Sequence, residues 1–110
     1  MSENVKEISA GDFETEVSGS PQPVVLDFFS TECPPCEALA PKFEALADQF
    51  KGRVRFLKIF RQGNKELATR LGVSGSPTLV FYKGGAEQGQ RLTGEMKRSE
   101  IKQALEALLT

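Results

Sequence analysis

The chain has 110 residues, which suits one compact domain over residues 1–110. The net charge of -1, from 14 basic and 15 acidic residues, speaks against binding to nucleic acid, and no apolar run approaches the roughly 18 residues of a membrane span. The absence of His excludes catalysis by a Ser–His or Cys–His pair. The polar N-terminus lacks a basic segment followed by an apolar one, so we expect no secretory signal and a cytoplasmic location.

In the first half of the chain, the apolar spacing predicts alternating strands and helices. We expect an edge strand at residues 5–8, a short helix over 12–17, a strand buried on both faces at 24–29, and a long helix after the cysteines that ends at Lys51-Gly52. Pro41 lies inside that long helix and should kink it. Asp27 interrupts an otherwise apolar strand, so we expect a buried carboxyl with a raised pKa.

The second half predicts strands over 53–60 and 78–82, a return strand at 90–93, a helix capped by Asn64 and a last helix capped by Ser99. The first strands alternate with helices and are expected to pair in parallel, whereas the last two are joined by a turn and should be antiparallel. The aromatic residues expected in the core are Phe43, Phe50, Phe56 and Phe81.

The only two cysteines, Cys33 and Cys36, are three positions apart. They cannot supply the four ligands of a structural zinc site within one chain, and a disulfide that closes so short a loop stabilises little. A redox-active dithiol is the favoured interpretation, with inert thiols or a metal site shared between chains as alternatives. Cys33 stands at a helix start that favours its thiolate, and Cys36 is expected one turn inward. We expect the helix to begin only at Pro35, with the Cys36 amide as the main donor to the Cys33 sulfur.

Several motifs together resemble the thioredoxin family over nearly the whole chain. They are Leu26-Asp27-Phe28-Phe29, Cys33-Pro34-Pro35-Cys36, Leu71-Gly72-Val73-Ser74-Gly75-Ser76-Pro77-Thr78-Leu79, Gly84 and Gly94. The resemblance implies an α/β fold with a five-stranded mixed sheet in the order 1-3-2-4-5, flanked by four helices. It also implies reversible dithiol–disulfide exchange with protein partners, without a cofactor or a metal.

The resemblance further implies a role for each matching residue. Cys33 would be the nucleophile and Cys36 the resolving thiol. Asp27 would be the buried acid behind them, with Lys58 as its basic neighbour. Pro77 would be a cis-proline that faces the disulfide. The residues expected to contact substrate are Glu32, Pro34, Pro35, Gly75, Ser76 and Gly94.

The chain departs from the usual family pattern beside the cysteines. Glu32 and Phe29 stand where the family usually has Trp, Pro34 where it has Gly, and Glu37 where it has Lys. After Lys58, the segment Ile59-Phe60-Arg61-Gln62 replaces the family's usual alternation of aliphatic residues and Asp. These departures concern partner choice and redox potential. We expect a small monomeric electron carrier that reduces protein disulfides and is re-reduced by an enzyme of the thioredoxin reductase type. An oxidase or isomerase, and a binding module without turnover, are the alternatives.

Overall fold

The computed structural model describes residues 3–110 and contains six strands and three regular α-helices in that range. The strands are β1 Val5–Ile8, β2 Val24–Phe29, β3 Arg55–Phe60, β4 Thr78–Lys83, β5 Ala86–Glu87 and β6 Leu92–Thr93. The helices are α1 Pro34–Gln49, α2 Lys65–Arg70 and α3 Arg98–Leu108. The short helix predicted over 12–17 is instead a 3-10 turn, Ala10–Asp12, followed by a π-helical turn, Glu14–Ser18.

The strands form one mixed sheet in the order β1-β3-β2-β4-β5, with β6 also paired to β4. Strand β3 runs parallel to both β1 and β2, and β4 runs antiparallel to β2, β5 and β6. The predicted fold and strand order are therefore confirmed. The sequence missed β5, because a two-residue strand with both residues exposed leaves no apolar pattern.

The sheet separates two hydrophobic clusters. Successive side chains of β2 point to opposite faces, so Val25 packs in the cluster with α1 and α3 while Leu26 packs in the other. The predicted aromatic core is confirmed: Phe43, Phe50, Phe56 and Phe81 are all buried. By the same alternation Asp27 lies on the α1 face, and this places its carboxyl beneath the start of that helix.

Two local expectations about helix starts were wrong, and a third was confirmed only in part. Helix α1 begins at Pro34, because a proline in the first turn gives up only an N–H that has no partner inside the helix. Ser99 lies inside α3, where Lys97 is the capping position and its N–H donates to the Glu100 carboxylate at 2.8 Å. Asn64 is the N-cap residue of α2, as expected, but its side chain makes no capping hydrogen bond to that helix and accepts instead from the Ala10 N–H at 2.8 Å.

Candidate functional site

The two cysteines lie at the junction between β2 and α1 and form a disulfide. Cys33 is the N-cap of α1 in an extended conformation, with φ -129° and ψ 96°. Its sulfur accepts a hydrogen bond from the Cys36 N–H at 3.2 Å. The predicted main-chain donor is thus confirmed, and it arises because the prolines between the cysteines carry no N–H.

The burial of the pair differs from the expectation. Cys33 keeps 8% of its surface exposed, whereas Cys36 is only half-buried and borders the cleft above Asp27. Cys36 is therefore not the more buried of the two cysteines in the disulfide form. Burial depends on the loops packed around the helix start, and spacing along one helical turn carries no information about these loops.

The segment before β4 packs against the disulfide. The Ser76–Pro77 peptide bond is cis, as the resemblance implied. The carbonyl oxygen of Ser76 lies 3.6 Å from the Cys33 sulfur. The Thr78 hydroxyl donates to the Gly75 carbonyl at 2.8 Å and holds the turn closed. The segment therefore presents its main chain beside the reactive sulfur.

A shallow groove of about 350 Å³ runs along this segment. Gly75, Ser76 and Gly94, which the sequence predicted as docking residues, all line it. Pro34 and Pro35 border a second groove with Met96 and Lys97 instead. Glu32 is exposed and has a positive φ of 51°, which few non-glycine residues adopt. The structure thus brings most of the predicted docking residues to the rim around the disulfide, but not into one groove.

Asp27 is buried behind the disulfide, with 7% of its surface exposed. Its Oδ1 atom has no hydrogen-bond partner among the described residues. Burial raises the pKa of Asp27 to about 7, and the charge of Lys58 on the paired position of β3 opposes that rise. Both side chains line a cleft of about 190 Å³ together with Cys36 and Glu37. The predicted burial and raised pKa of Asp27 are confirmed, and the nearness of Lys58 follows from strand register.

Two arginines stand at this groove: Arg91 lines it, and Arg61 contacts its lining residue Ser76. The sequence marked Arg61 only as part of an unusual segment and did not indicate Arg91. Arg61 follows β3, and its Nε–H donates to the Ser76 hydroxyl at 2.8 Å. Arg91 binds Glu87 through two hydrogen bonds, at 2.8 and 2.9 Å, and donates to the carbonyl oxygens of Leu71 and Gly72. The Arg91–Glu87 pair is local, but the contacts of Arg61 with Ser76 and of Arg91 with Leu71 and Gly72 join segments that are distant in sequence, so local patterns do not report them.

Residues 3–110 contain no group of three or more His, Cys, Asp or Glu side chains arranged to hold a metal ion. Within the same range, no helix has the length and apolarity needed to cross a lipid bilayer.

Comparisons with known proteins agree with this geometry. Residues 4–107 match the thioredoxin family model. The thioredoxin of Allochromatium vinosum is 32% identical over 100 residues, which are 91% of this chain and 92% of that protein. The thioredoxin of Acidithiobacillus ferridurans is 30% identical over 109 residues, covering 99% of this chain and all of that protein. Protein disulfide-isomerase A3 of Gallus gallus is 38% identical over 86 residues, 78% of this chain but 17% of that protein. The chain therefore belongs to the thioredoxin family and is a dithiol–disulfide oxidoreductase.

Proposed function

We propose that the chain is a small cytoplasmic reductant of protein disulfides that acts through Cys33 and Cys36 and is re-reduced by an enzyme of the thioredoxin reductase type. The observation that carries this proposal is the Cys33 sulfur at the N-cap of α1, 3.2 Å from the Cys36 N–H and 3.6 Å from the Ser76 carbonyl. A cytoplasmic reductant suits a compartment that keeps thiols reduced. A monomer suffices, because the redox centre and the docking groove are both built from one chain.

In the first step, the Cys33 thiolate attacks one sulfur of the partner's disulfide. A new bond forms between that sulfur and Cys33, the partner's disulfide breaks, and its other cysteine leaves as a thiolate that takes a proton from water. The Cys36 N–H and the positive end of the α1 dipole favour the anionic form of Cys33. Cys33 is therefore the proposed nucleophile.

In the second step, Cys36 attacks the Cys33 sulfur of the mixed disulfide. The Cys33–Cys36 bond forms, the bond to the partner breaks, and the second partner cysteine leaves as a thiolate. Two electrons have then passed from the dithiol to the partner. Asp27 takes the proton of Cys36, since a carboxyl with a pKa of about 7 can accept and return a proton at neutral pH. Lys58 is the proposed electrostatic partner of Asp27, and its charge keeps part of the carboxyl ionised.

Partner recognition is proposed at the segment before β4. The Ser76 main chain and the Gly75 turn pair with an extended stretch of the partner, as an added strand does at a sheet edge. Pro77 holds the segment against the disulfide, and Gly94 leaves room on the far side of the groove. Glu32, Pro34 and Pro35 form the opposite rim, where the proposed surface departs most from the family pattern.

The residues beside the cysteines influence the reduction potential, which decides whether the chain reduces or oxidises its partners. Glu32 and Glu37 disfavour the Cys33 thiolate, and Pro34 and Pro35 provide no N–H to it. Weak stabilisation of the reduced form is a property of reductants, so we expect a potential nearer to about -270 mV than to about -120 mV. The similarity to a domain-sized part of a protein disulfide-isomerase makes an oxidase or isomerase the second candidate.

Two measurements test the proposal. The chain should reduce insulin disulfides with dithiothreitol as electron source, and Cys33→Ser should abolish this reduction. Equilibration with glutathione buffers gives the potential, and a value above roughly -200 mV would place the chain among the oxidants or isomerases. A protein that binds partner proteins but does not accelerate insulin reduction would instead be a binding module.

A further inference from the structure

Arg61 contacts the residue that stands closest to the reactive disulfide in the docking segment. Its Nε–H donates to the Ser76 hydroxyl at 2.8 Å, and the carbonyl oxygen of the same serine lies 3.6 Å from the Cys33 sulfur. One residue therefore separates the guanidinium group from the reaction centre. Residues 71–77, which form the loop between α2 and β4, are all uncharged, so this loop does not neutralise the positive charge of Arg61.

Most N–H donors of the Arg61 guanidinium have no hydrogen-bond partner among the described residues. Of its five N–H donors the contact with Ser76 uses one, and the described residues place no carboxylate within ion-pair distance of Arg61. Arg91, which lines the groove, differs in that its four hydrogen bonds to Glu87 and to two main-chain carbonyls leave one of its five N–H donors. Arg61, beside the groove through its contact with Ser76, is therefore the arginine with most donors left for a further anion.

The contact with Ser76 also orders the guanidinium. Arg61 is half-buried, and holding Nε fixes the plane of the group, so that both terminal nitrogens present a fork of donors. A fork of this kind matches the two oxygens of a carboxylate. Because the group is ordered before binding, less side-chain entropy is lost when a ligand arrives.

We propose that Arg61 is a specificity-determining residue that binds a carboxylate of the partner protein next to its attacked cysteine. The chain then prefers disulfides flanked by Asp or Glu. An extended peptide advances about 3.3 Å per residue, so a side chain one or two positions from a cysteine held over Cys33 reaches the neighbourhood of Ser76. This inference rests on the proposed reductant function, because it names the substrate class of the same site.

Pairs of synthetic peptides test it, each with one intramolecular disulfide. Within a pair, the two peptides differ only in carrying Glu or Gln at one position relative to each cysteine. Four pairs place this residue two positions before, one before, one after or two after each cysteine. The readout is kcat/KM for peptide reduction, relative to the rate with dithiothreitol alone. We expect the wild type to prefer Glu over Gln by about fivefold at one offset or more at low salt. The preference should fall towards one in 0.5 M NaCl.

The matched variants are Arg61→Gln and Arg70→Gln, which remove the same charge. Arg70 is exposed at the end of α2 and has no role in the proposed site. Arg61→Gln should bring the Glu-to-Gln ratio to about one, and Arg70→Gln should retain the wild-type ratio. Urea denaturation shows that each variant is folded. If Arg61→Gln does not fold, the salt dependence of the wild type decides the question.

Two results overturn the inference and leave the proposed function standing. One is a wild type that reduces the Gln peptides but shows no preference for Glu at any offset. The other is a preference that survives Arg61→Gln or 0.5 M NaCl. A wild type that reduces none of the peptides, although dithiothreitol does, overturns the proposed reductant function and this inference with it.

Discussion

Replacing Asp27 by Ala should stabilise the fold, and the gain should grow with pH. The pKa of Asp27 rises from 3.8 to about 7 in the folded chain because burial disfavours the charged carboxyl. Between these two values the folded chain binds the proton more tightly than the unfolded chain does. The wild type therefore loses stability as the pH rises from about 4 to about 7, and the full penalty remains above pH 7.

The size of the penalty follows from the two pKa values. A change from 3.8 to about 7 corresponds to about 4 kcal/mol in the free energy of unfolding at alkaline pH. The Ala variant loses some packing around β2, which costs about 1 kcal/mol. Asp27→Ala should thus be about 3 kcal/mol more stable than the wild type at pH 8, and this advantage should shrink by about 2 to 3 kcal/mol at pH 5.

Urea denaturation of the oxidised proteins between pH 5 and pH 8 measures this difference directly. Asp12→Ala is the control. The pKa of Asp12 is lowered from 3.8 by hydrogen bonds from Ser9, so this carboxyl stays ionised in both states across the window and the difference should not vary with pH. An Asp27→Ala protein less stable than the wild type at pH 8 would refute the reasoning. A stability difference that stays constant from pH 5 to pH 8 would refute it as well.

Three further predictions concern the reactive sulfur and two contacts that hold the fold. Limiting iodoacetamide should label Cys33 first in the reduced protein at neutral pH, and peptide mapping that finds the other cysteine labelled instead contradicts the proposed nucleophile. Gly85→Ala should lower the free energy of unfolding by about 2 kcal/mol more than Gly84→Ala. Both glycines have a positive φ, but only at Gly85 would a Cβ lie 2.7 Å from the Ser18 carbonyl oxygen, so equal losses in urea denaturation would speak against that clash. Arg91→Ala should cost about 1 to 2 kcal/mol, since it removes hydrogen bonds to Glu87 and to two main-chain carbonyls, and an unchanged urea midpoint would contradict this.

Two side chains of opposite charge, Glu32 and Arg61, stand on different sides of the proposed contact surface. Glu32 is exposed beside the cysteines, and Arg61 lies on the docking side next to Ser76. Potentials that differ across a contact surface fix the orientation of a partner more than they raise its affinity. The sequence revealed departures from the family pattern at Glu32, Pro34 and the segment that contains Arg61, and the fold showed that Arg61 contacts Ser76.

Local patterns along the chain were enough to predict most of the architecture. The apolar run of β2 and the aliphatic spacing of α1 depend on residues close in sequence, and periodicity reports these directly. The burial of Asp27 followed from its place in an apolar strand. The hydrogen bond from the Cys36 N–H to the Cys33 sulfur was predicted because the two prolines between the cysteines carry no N–H, which leaves Cys36 as the first main-chain donor.

Contacts between distant segments were decided only by the tertiary structure. Asn64 holds the N-cap position of α2 as expected, but packing brings the Ala10 N–H, and not an N–H of that helix, to its side-chain oxygen. The contact between Arg61 and Ser76 joins the end of β3 to the start of β4, which are not neighbours in the sheet. A sequence records which side chains can donate and accept, whereas the partner each one meets depends on how the strands and loops pack. For this reason the sequence by itself determined the redox chemistry, and the tertiary structure decided which charges surround it.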